Sequence, residues 1–334
     1  MLNFWKETAK QIFKSNTRRC SLHIQQNASC KTFKDDIPQY EATVIGGGII
    51  GTAIARQIKK KNPNLTTALI EKEGIFGKHQ SRNNSGVIHC GIYYRPGSLK
   101  SVLCQKGIKS IYEYCEEKGI PYTKTGKLIV ANDKQECKTL NALYERGLQN
   151  KVEGLKRLDT LEQILEKEPM CKGFKSIWCA NTGNVDFEMV TNSLGPTAVP
   201  AYTIEGYNEE DINLRYLKNT LTSPNFLNMT RRYISKCISQ VQRHLCPETY
   251  IKKLQKLADF NREDVSNGPI AVQTQLINPD GTFQDDFVFE FFEGKDIQKR
   301  IINCLFLPSP AATSCLAIAE YVTEKFFKEY DPKT

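Results

Sequence analysis

The chain has 334 residues, of which 40% are hydrophobic and 25% charged, and its formal net charge is +9. This length is enough for one large hydrophobic core or two smaller ones, and the composition excludes a disordered or fibrous chain. No apolar run approaches the roughly eighteen residues of a membrane-spanning helix, and no basic stripe with interleaved aromatics is present. We therefore expect no transmembrane helix and no nucleic-acid partner.

The cysteine and histidine pattern offers no metal site. The twelve cysteines include no C-x-x-C pair, and none forms a cluster with the four histidines at metal-ligand spacing. We interpret the cysteines as reduced thiols that mostly occupy small buried positions. The scarcity of histidine also limits the candidates for acid–base chemistry.

Residues 1–34 have the composition of a targeting segment. They contain seven Lys or Arg and one acid, and Leu2, Trp5, Ile12 and Phe13 are spaced for an apolar helical stripe. This pattern is typical of a mitochondrial presequence, with a disordered basic tail as the alternative. The sequence therefore predicts a mitochondrial protein.

A dinucleotide-binding pattern follows. Ala42–Ile45 predicts a short buried strand and Ile49–Lys60 a helix, with Gly46, Gly48 and Gly51 in the spacing G-x-G-x-x-G. The glycines permit a tight turn, close approach of a pyrophosphate and close helix–strand packing. The helix N-terminus offers free N–H groups to the phosphates.

A second apolar run supports this interpretation. It extends over residues 65–70 and is followed by Glu71, twenty residues beyond Gly51. Folds of this kind place there the acid that accepts the ribose hydroxyl. An ordinary glycine-rich turn followed by a chance acid is the alternative.

Further helices and strands are predicted along the rest of the chain. We expect helices at 98–119, 133–150, 161–167 and 314–328, with a mainly helical stretch at 205–260. We expect strands at 127–130, 268–276, 287–291 and 301–307, and a strand with a turn at 178–187.

Several sequence motifs, here also called words, together resemble those of the L-2-hydroxyglutarate dehydrogenases, which are FAD flavoproteins of the D-amino-acid-oxidase-like superfamily. The matching words are VIGGGIIGTAIAR, HQSRNNSGVIHCGIYYRPGSLKSVLC, YTKTGKLIVA, ANTGNVDF, LGPTAV, DDFVFE and PSPAATSCLAIAEYV. The resemblance implies an α/β fold, with a Rossmann-like FAD-binding domain and a truncated α+β substrate domain.

The substrate domain is called truncated because the resemblance breaks after Thr191. In the family, a long segment separates the VDF motif from the LGP motif. In this chain the LGP motif begins at Leu194, only seven residues after Phe187, the last residue of VDF. We divide the chain into a presequence (1–34), an N-terminal FAD-binding part with the start of the substrate domain (35–191), a shortened, mainly helical middle (192–260) and a C-terminal return to the FAD-binding domain (261–334).

The resemblance implies oxidation of L-2-hydroxyglutarate to 2-oxoglutarate, with hydride transfer to flavin N5, a histidine base and an electron acceptor that the sequence does not identify. His89 is the first candidate for the base and His79 the second, because a neutral imidazole suits that role. A hydrogen-bonding or packing role beside the cofactor is the alternative for His89.

The remaining site residues follow from the same resemblance. Besides the glycines and Glu71, we expect the cofactor to contact a polar pair and a C-terminal loop: Asn84, Ser85, Pro310, Ala311, Ala312 and Thr313. The helix after that loop would stabilise negative charge on the reduced flavin.

The expected substrate pocket contains Tyr93, Tyr94 and Gln273. Gln273 stands where the family word, close to GVRAQ, has arginine, and a neutral amide cannot clamp a carboxylate bidentately. Another cation, such as Arg82 or Arg95, would have to compensate.

Two other interpretations remain open. A shortened relative could retain part of the FAD-binding fold without catalysis, which the break after Thr191 and Gln273 favours. Another flavin oxidase, such as an amine oxidase or a glycerol-phosphate dehydrogenase, fits the wording of residues 79–94 poorly.

Overall fold

A computed structural model describes residues 40–74, 76–185, 214–245, 247–264, 275–291 and 301–329. Three predicted features lie outside the described residues: the presequence, the junction after Thr191, and Gln273. The domain boundaries assigned above remain predictions.

The described elements alternate between short strands and longer helices. The strands are β1 (Ala42–Ile45), β2 (Thr67–Ile70), β3 (Val87–Ile88), β4 (Tyr122–Thr123), β5 (Lys127–Ala131), β6 (Leu155–Leu158), β7 (Lys175–Cys179), β8 (Gly183–Val185), β9 (Val288–Phe291) and β10 (Ile302–Phe306). The helices are α1 (Ile49–Lys61), α2 (Leu99–Lys118), α3 (Lys134–Gln149), α4 (Leu161–Leu165), α5 (Leu214–Leu221), α6 (Pro224–Leu245), α7 (Pro247–Leu254) and α8 (Cys315–Glu329).

The strands form four small sheets. β1 and β2 pair in parallel through the α1 crossover, with Ala42 opposite Thr67 and Ile45 opposite Ile70. The other sheets are antiparallel, in the orders β3-β8-β4, β5-β7-β6 and β10-β9. The parallel β1-α1-β2 unit is the predicted start of a Rossmann-like domain.

Helix α2 has the predicted ends, and its N-terminus has an additional partner. The Ser98 hydroxyl accepts from the backbone N–H of Ser101, and Gly119 ends the helix in a left-handed conformation at φ 64°. The Asp286 carboxylate accepts from the N–H groups of Leu99 and Lys100, at 2.8 Å each. A carboxylate at this position satisfies two otherwise unpaired donors and complements the helix dipole. The DDFVFE word therefore joins the C-terminal part of the chain to α2.

The main hydrophobic core joins the first helices of the described chain to its last helix. Helix α8 packs against both α1 and α2. Ile318 is fully buried in this cluster, together with Ile54, Ile58, Leu103 and Ile111. The last helix thus supplies apolar surface that the β1-α1-β2 unit requires.

Most predicted elements agree with the structure to within a few residues, and one prediction differs. The predicted strand at 268–276 lies mostly outside the described residues, and its last two residues are not in a strand. Just beyond it the chain turns back at Gly281, so that Ile277 and Phe283 form an isolated bridge.

No helix among the described residues is long and apolar enough to cross a bilayer. Eight cysteines whose side chains the structure describes carry free thiols, and six of these eight are buried.

Removing the Asp286 carboxylate should destabilise the fold. We expect Asp286→Ala to lower the free energy of unfolding by about 1–3 kcal/mol, because two helix N–H groups lose an ionised acceptor. Urea titration followed by circular dichroism measures this change. Asp285→Ala is the matched control, because Asp285 accepts neither helix N–H; an equal loss in both variants would contradict the capping role.

Candidate active site

The glycine turn after β1 has the backbone that its sequence predicts. Gly46 adopts φ 105°, which favours glycine, and its N–H donates to the Ile70 carbonyl at 2.8 Å. A Cβ atom on Gly51 would lie 1.8 Å from the Gly46 carbonyl oxygen. Helix α1 therefore packs against the turn at a distance that only glycine permits.

Glu71 lies at this turn, directly after β2. Its carboxylate accepts from the Glu73 N–H at 3.0 Å and from the Gly47 N–H at 2.6 Å. These hydrogen bonds from Glu73 and Gly47 lower the pKa of Glu71, so the side chain is an ionised acceptor. This position suits a ribose hydroxyl.

The N-terminus of α1 is arranged for an anionic oxygen. Gly48, the N-cap, supplies no side-chain acceptor, and the Ile49 N–H donates instead to the Ser81 hydroxyl at 2.9 Å. An oxygen atom thus already occupies a position where a helix N-terminus binds phosphate oxygens. The donors and the narrow turn fit the diphosphate of a dinucleotide.

The segment from residue 79 to 86 is shaped by its own amides. Asn84 donates to the Ser81 carbonyl at 2.6 Å and accepts from the Gly86 N–H at 2.8 Å. Ser85 is exposed. Asn84 therefore fixes the turn, and a direct contact of Asn84 or Ser85 with a cofactor stays a prediction.

His89 follows β3 and is held by two distant parts of the chain. Its N–H donates to the Thr313 hydroxyl at 3.1 Å, and its carbonyl accepts from the Cys104 thiol at 3.3 Å. Its ring nitrogen Nε2 lies 3.1 Å from the Ser309 hydroxyl. Ser309 is exposed, so this edge of the half-buried imidazole faces the accessible side of the structure.

The imidazole of His89 is held in its neutral form. Burial, with a smaller contribution from the charge of Lys127, lowers the pKa of His89 from 6.5 to about 4. A neutral ring at neutral pH is able to accept a proton, which is the state that a general base needs.

The loop before α8 reaches the same place. Thr313 is almost fully buried, and its hydroxyl donates to the Val87 carbonyl at 3.3 Å. Pro310 and Ala311 are buried, and Ala312 is half-buried. Of the four predicted residues of this loop, Thr313 contacts His89 directly.

Tyr93 and Tyr94 follow His89 closely in the sequence and differ in exposure. The Tyr93 ring is 41% exposed, whereas burial raises the pKa of Tyr94 above its usual range. Asn150 accepts from the Ser101 hydroxyl at 2.7 Å and donates to the Tyr94 carbonyl at 2.8 Å. Tyr93 is therefore the more accessible of the two rings.

The second candidate base has a different environment. His79 Nε2 lies 2.9 Å from a carboxylate oxygen of Glu73, and the same carboxylate also pairs with Lys78 at 2.7 Å. His79 is thus hydrogen-bonded to a carboxylate after β2, while His89 is in contact with the C-terminal loop. The geometry favours His89, and the role of His79 stays a prediction.

Two residues of this neighbourhood were not among the sequence candidates. Ser309 contacts His89, and the Lys127 ammonium lies 4.9 Å from the centre of the Tyr93 ring. Both stand in words that carried the family resemblance, PSPAATSCLAIAEYV and YTKTGKLIVA. Their positions in those words were the available signal, but nothing in the sequence joined them to His89.

Comparison with known proteins gives the family. A family profile described as FAD dependent oxidoreductase (DAO) matches residues 41–200. The mitochondrial L-2-hydroxyglutarate dehydrogenase of Nematostella vectensis is 32% identical, over 86% of this chain and 90% of the relative. The protein of the same name from Mus musculus is 31% identical, over 84% and 87%. A part of the Dictyostelium discoideum protein of that name is 44% identical over 177 residues, or 53% of this chain and 40% of the relative.

A solved structure is also similar to part of this chain. L-α-glycerophosphate oxidase from Mycoplasma pneumoniae, reduced with dithionite and with FAD bound, is 29% identical and covers 45% of this chain and 40% of its own, with a TM-score of 0.41.

The alignments also bear on the expected shortening. The alignment to the Nematostella relative extends over 412 positions, more than the 334 residues of the whole chain. The relative therefore contains sequence without a counterpart here.

With about a third of the residues identical over most of both proteins, the chain belongs to the L-2-hydroxyglutarate dehydrogenase family of FAD-dependent oxidoreductases.

Proposed function

We propose that this protein oxidises L-2-hydroxyglutarate to 2-oxoglutarate in mitochondria, with His89 as the base that takes the proton of the C2 hydroxyl. The observation that carries this proposal is the neutral imidazole of His89, fixed between β3 and the loop before α8. FAD, when bound, supplies the two-electron acceptor. The mitochondrial location is supported by the names of the relatives.

The cofactor is held, in this proposal, by the glycine turn after β1 and by the loop before α8. Gly46 permits the tight turn, Gly48 lets the diphosphate approach the backbone, Gly51 lets α1 pack against the turn, and Glu71 accepts from the ribose. The buried loop Pro310–Thr313 presents small side chains and the N-terminal end of α8 to the flavin ring.

His89 and its neighbours prepare the proton transfer. Thr313 fixes the backbone on which the imidazole is mounted, and Ser309 hydrogen-bonds its Nε2. Because burial keeps the ring uncharged, His89 is able to receive the hydroxyl proton without first losing one of its own. The exposed Tyr93 ring lines the approach to His89, with Gln273 as a further proposed substrate contact.

A second candidate function is a cofactor-binding relative without turnover. The longer alignment supports it, because the Nematostella relative contains sequence without a counterpart in this chain.

The visible spectrum separates the two functions. We expect the purified full chain to carry a stoichiometric flavin band that bleaches anaerobically when L-2-hydroxyglutarate is added. A band that persists with this substrate would identify a cofactor-binding relative instead. A colourless protein would contradict both.

Replacing the base should remove turnover and keep the cofactor. We expect His89→Gln to lower kcat by about 10²- to 10⁴-fold, because the amide cannot accept the proton, while the flavin band remains. Stopped-flow reduction of the flavin measures this rate. His79→Gln serves as the control and should leave the rate within a few-fold; the opposite pattern would assign the base to His79.

The neutral state of His89 also predicts a pH-dependent stability. Its pKa in the folded protein is about 4, below the 6.5 of an ordinary histidine, so the unfolded chain binds more protons between these values. The contribution is fully present above pH 6.5 and is lost as the pH falls towards 4, by up to about 3 kcal/mol. Urea titrations at several pH values should show this slope, and it should be shallower in His89→Gln. Equal slopes would show that His89 is not held neutral.

A further inference from the structure

The proposed substrate raises a question of charge, because L-2-hydroxyglutarate carries two carboxylates and its pocket needs a cation. Gln273, at the position where the family word has arginine, is neutral. The described partners of the His89 ring are Ser309 and Lys127. Lys127 is close enough for its charge to act on that ring.

Lys127 is positioned by regular backbone structure. It is the first residue of β5 and pairs with Cys179 of β7, and the N–H of the preceding Gly126 donates to the Thr182 carbonyl at 2.9 Å. A residue at the beginning of a paired strand has a fixed backbone and a flexible side chain. The half-buried side chain directs its ammonium group to the face of the Tyr93 ring, 4.9 Å from the ring centre.

The charge of Lys127 acts on the groups around the proposed base. It contributes to lowering the pKa of His89, and it also contributes to lowering the pKa of the Cys90 thiol, whose largest cause is a hydrogen bond with Cys179. The contact with the Tyr93 ring places the ammonium group beside the end of the segment His89–Tyr93, and these electrostatic effects agree with that position.

Within the described ranges, no carboxylate lies at ion-pair distance from Lys127. Among the neighbouring cations, Arg146 donates to the Tyr93 carbonyl at 3.2 Å, and the charges of Asp285 and Asp286 act on Lys100. Lys127 thus keeps its donors available to an incoming anion, next to an exposed aromatic ring.

We propose that Lys127 binds a carboxylate of the substrate and so holds the C2 hydroxyl beside His89. This inference rests on the proposed function. Ammonium–carboxylate contact at this place supplies the charge that Gln273 does not, and Tyr93 forms the wall against which the bound acid and the lysine stem pack.

Binding of the product to the oxidised full chain tests the inference without turnover. We expect Lys127→Met to raise the Kd of 2-oxoglutarate by about 10- to 100-fold, as for the loss of one charge-assisted hydrogen bond, while Lys127→Arg retains most of the affinity. Isothermal titration calorimetry measures the Kd. The acid limb of the pH profile of flavin reduction should also move to higher pH in Lys127→Met, because a cation that lowers the pKa of His89 has been removed.

Lys124→Met is the matched control. Lys124 is an exposed lysine that likewise lies over tyrosine rings, at 4.4 Å from Tyr112 and 5.9 Å from Tyr122, and it precedes β5 by only three residues. Its replacement should leave the Kd of 2-oxoglutarate unchanged. If Lys127→Met unfolds, Lys127→Gln and the weakening of wild-type binding with added salt give the same information.

The outcomes separate this inference from the proposed function. Wild-type protein that binds 2-oxoglutarate through Lys127, yet is not reduced by L-2-hydroxyglutarate, would overturn the activity and keep the carboxylate site. Wild-type protein that is reduced, with the same Kd in Lys127→Met and Lys124→Met, would overturn the role of Lys127. Failure of the wild type to bind 2-oxoglutarate would overturn both.

Discussion

The hydroxyl of Thr313 is the contact on which the site depends. It accepts from the His89 N–H and donates to the Val87 carbonyl, so that one buried side chain joins residues more than two hundred positions apart. Because buried hydroxyl groups are costly to leave unpaired, these hydrogen bonds favour one arrangement of the loop against β3. The imidazole, Ser309 and the small residues of the loop take their places from that arrangement.

Around this contact, charge and burial act in the same direction. His89 is partly withdrawn from water and lies in the field of Lys127, and both effects favour the uncharged ring. At the glycine turn, Glu71 accepts two backbone N–H groups and stays ionised. The β1-α1-β2 unit thus offers donors and one acceptor suited to a nucleotide, while the His89 region offers a proton acceptor and a cation suited to an acid substrate.

Local chemistry made much of this fold predictable from the sequence. The glycine turn, the caps Ser98 and Gly119 and the strands β1 and β5 each depend on residues near them in sequence. The contacts of Ser309, Lys127 and Asp286 were not predictable, because each joins a residue to a distant part of the chain. The amide of Asn84 closes its own turn, a local role that its position between Ser81 and Gly86 allows, while its predicted contact with the cofactor stays a prediction.

The position of α8 has a consequence for how the protein is made. Its apolar face, with Ile318 at the centre, covers α1 and α2, which are synthesised long before it. Because the ribosome synthesises the N-terminal end first, the nascent β1-α1-β2 unit emerges before α8 exists. Its apolar surface is therefore exposed to chaperones until α8 is made. A premature stop codon just before Cys315 would make that temporary exposure permanent, and the product would be a target for proteolysis even though it retains the glycine turn and His89.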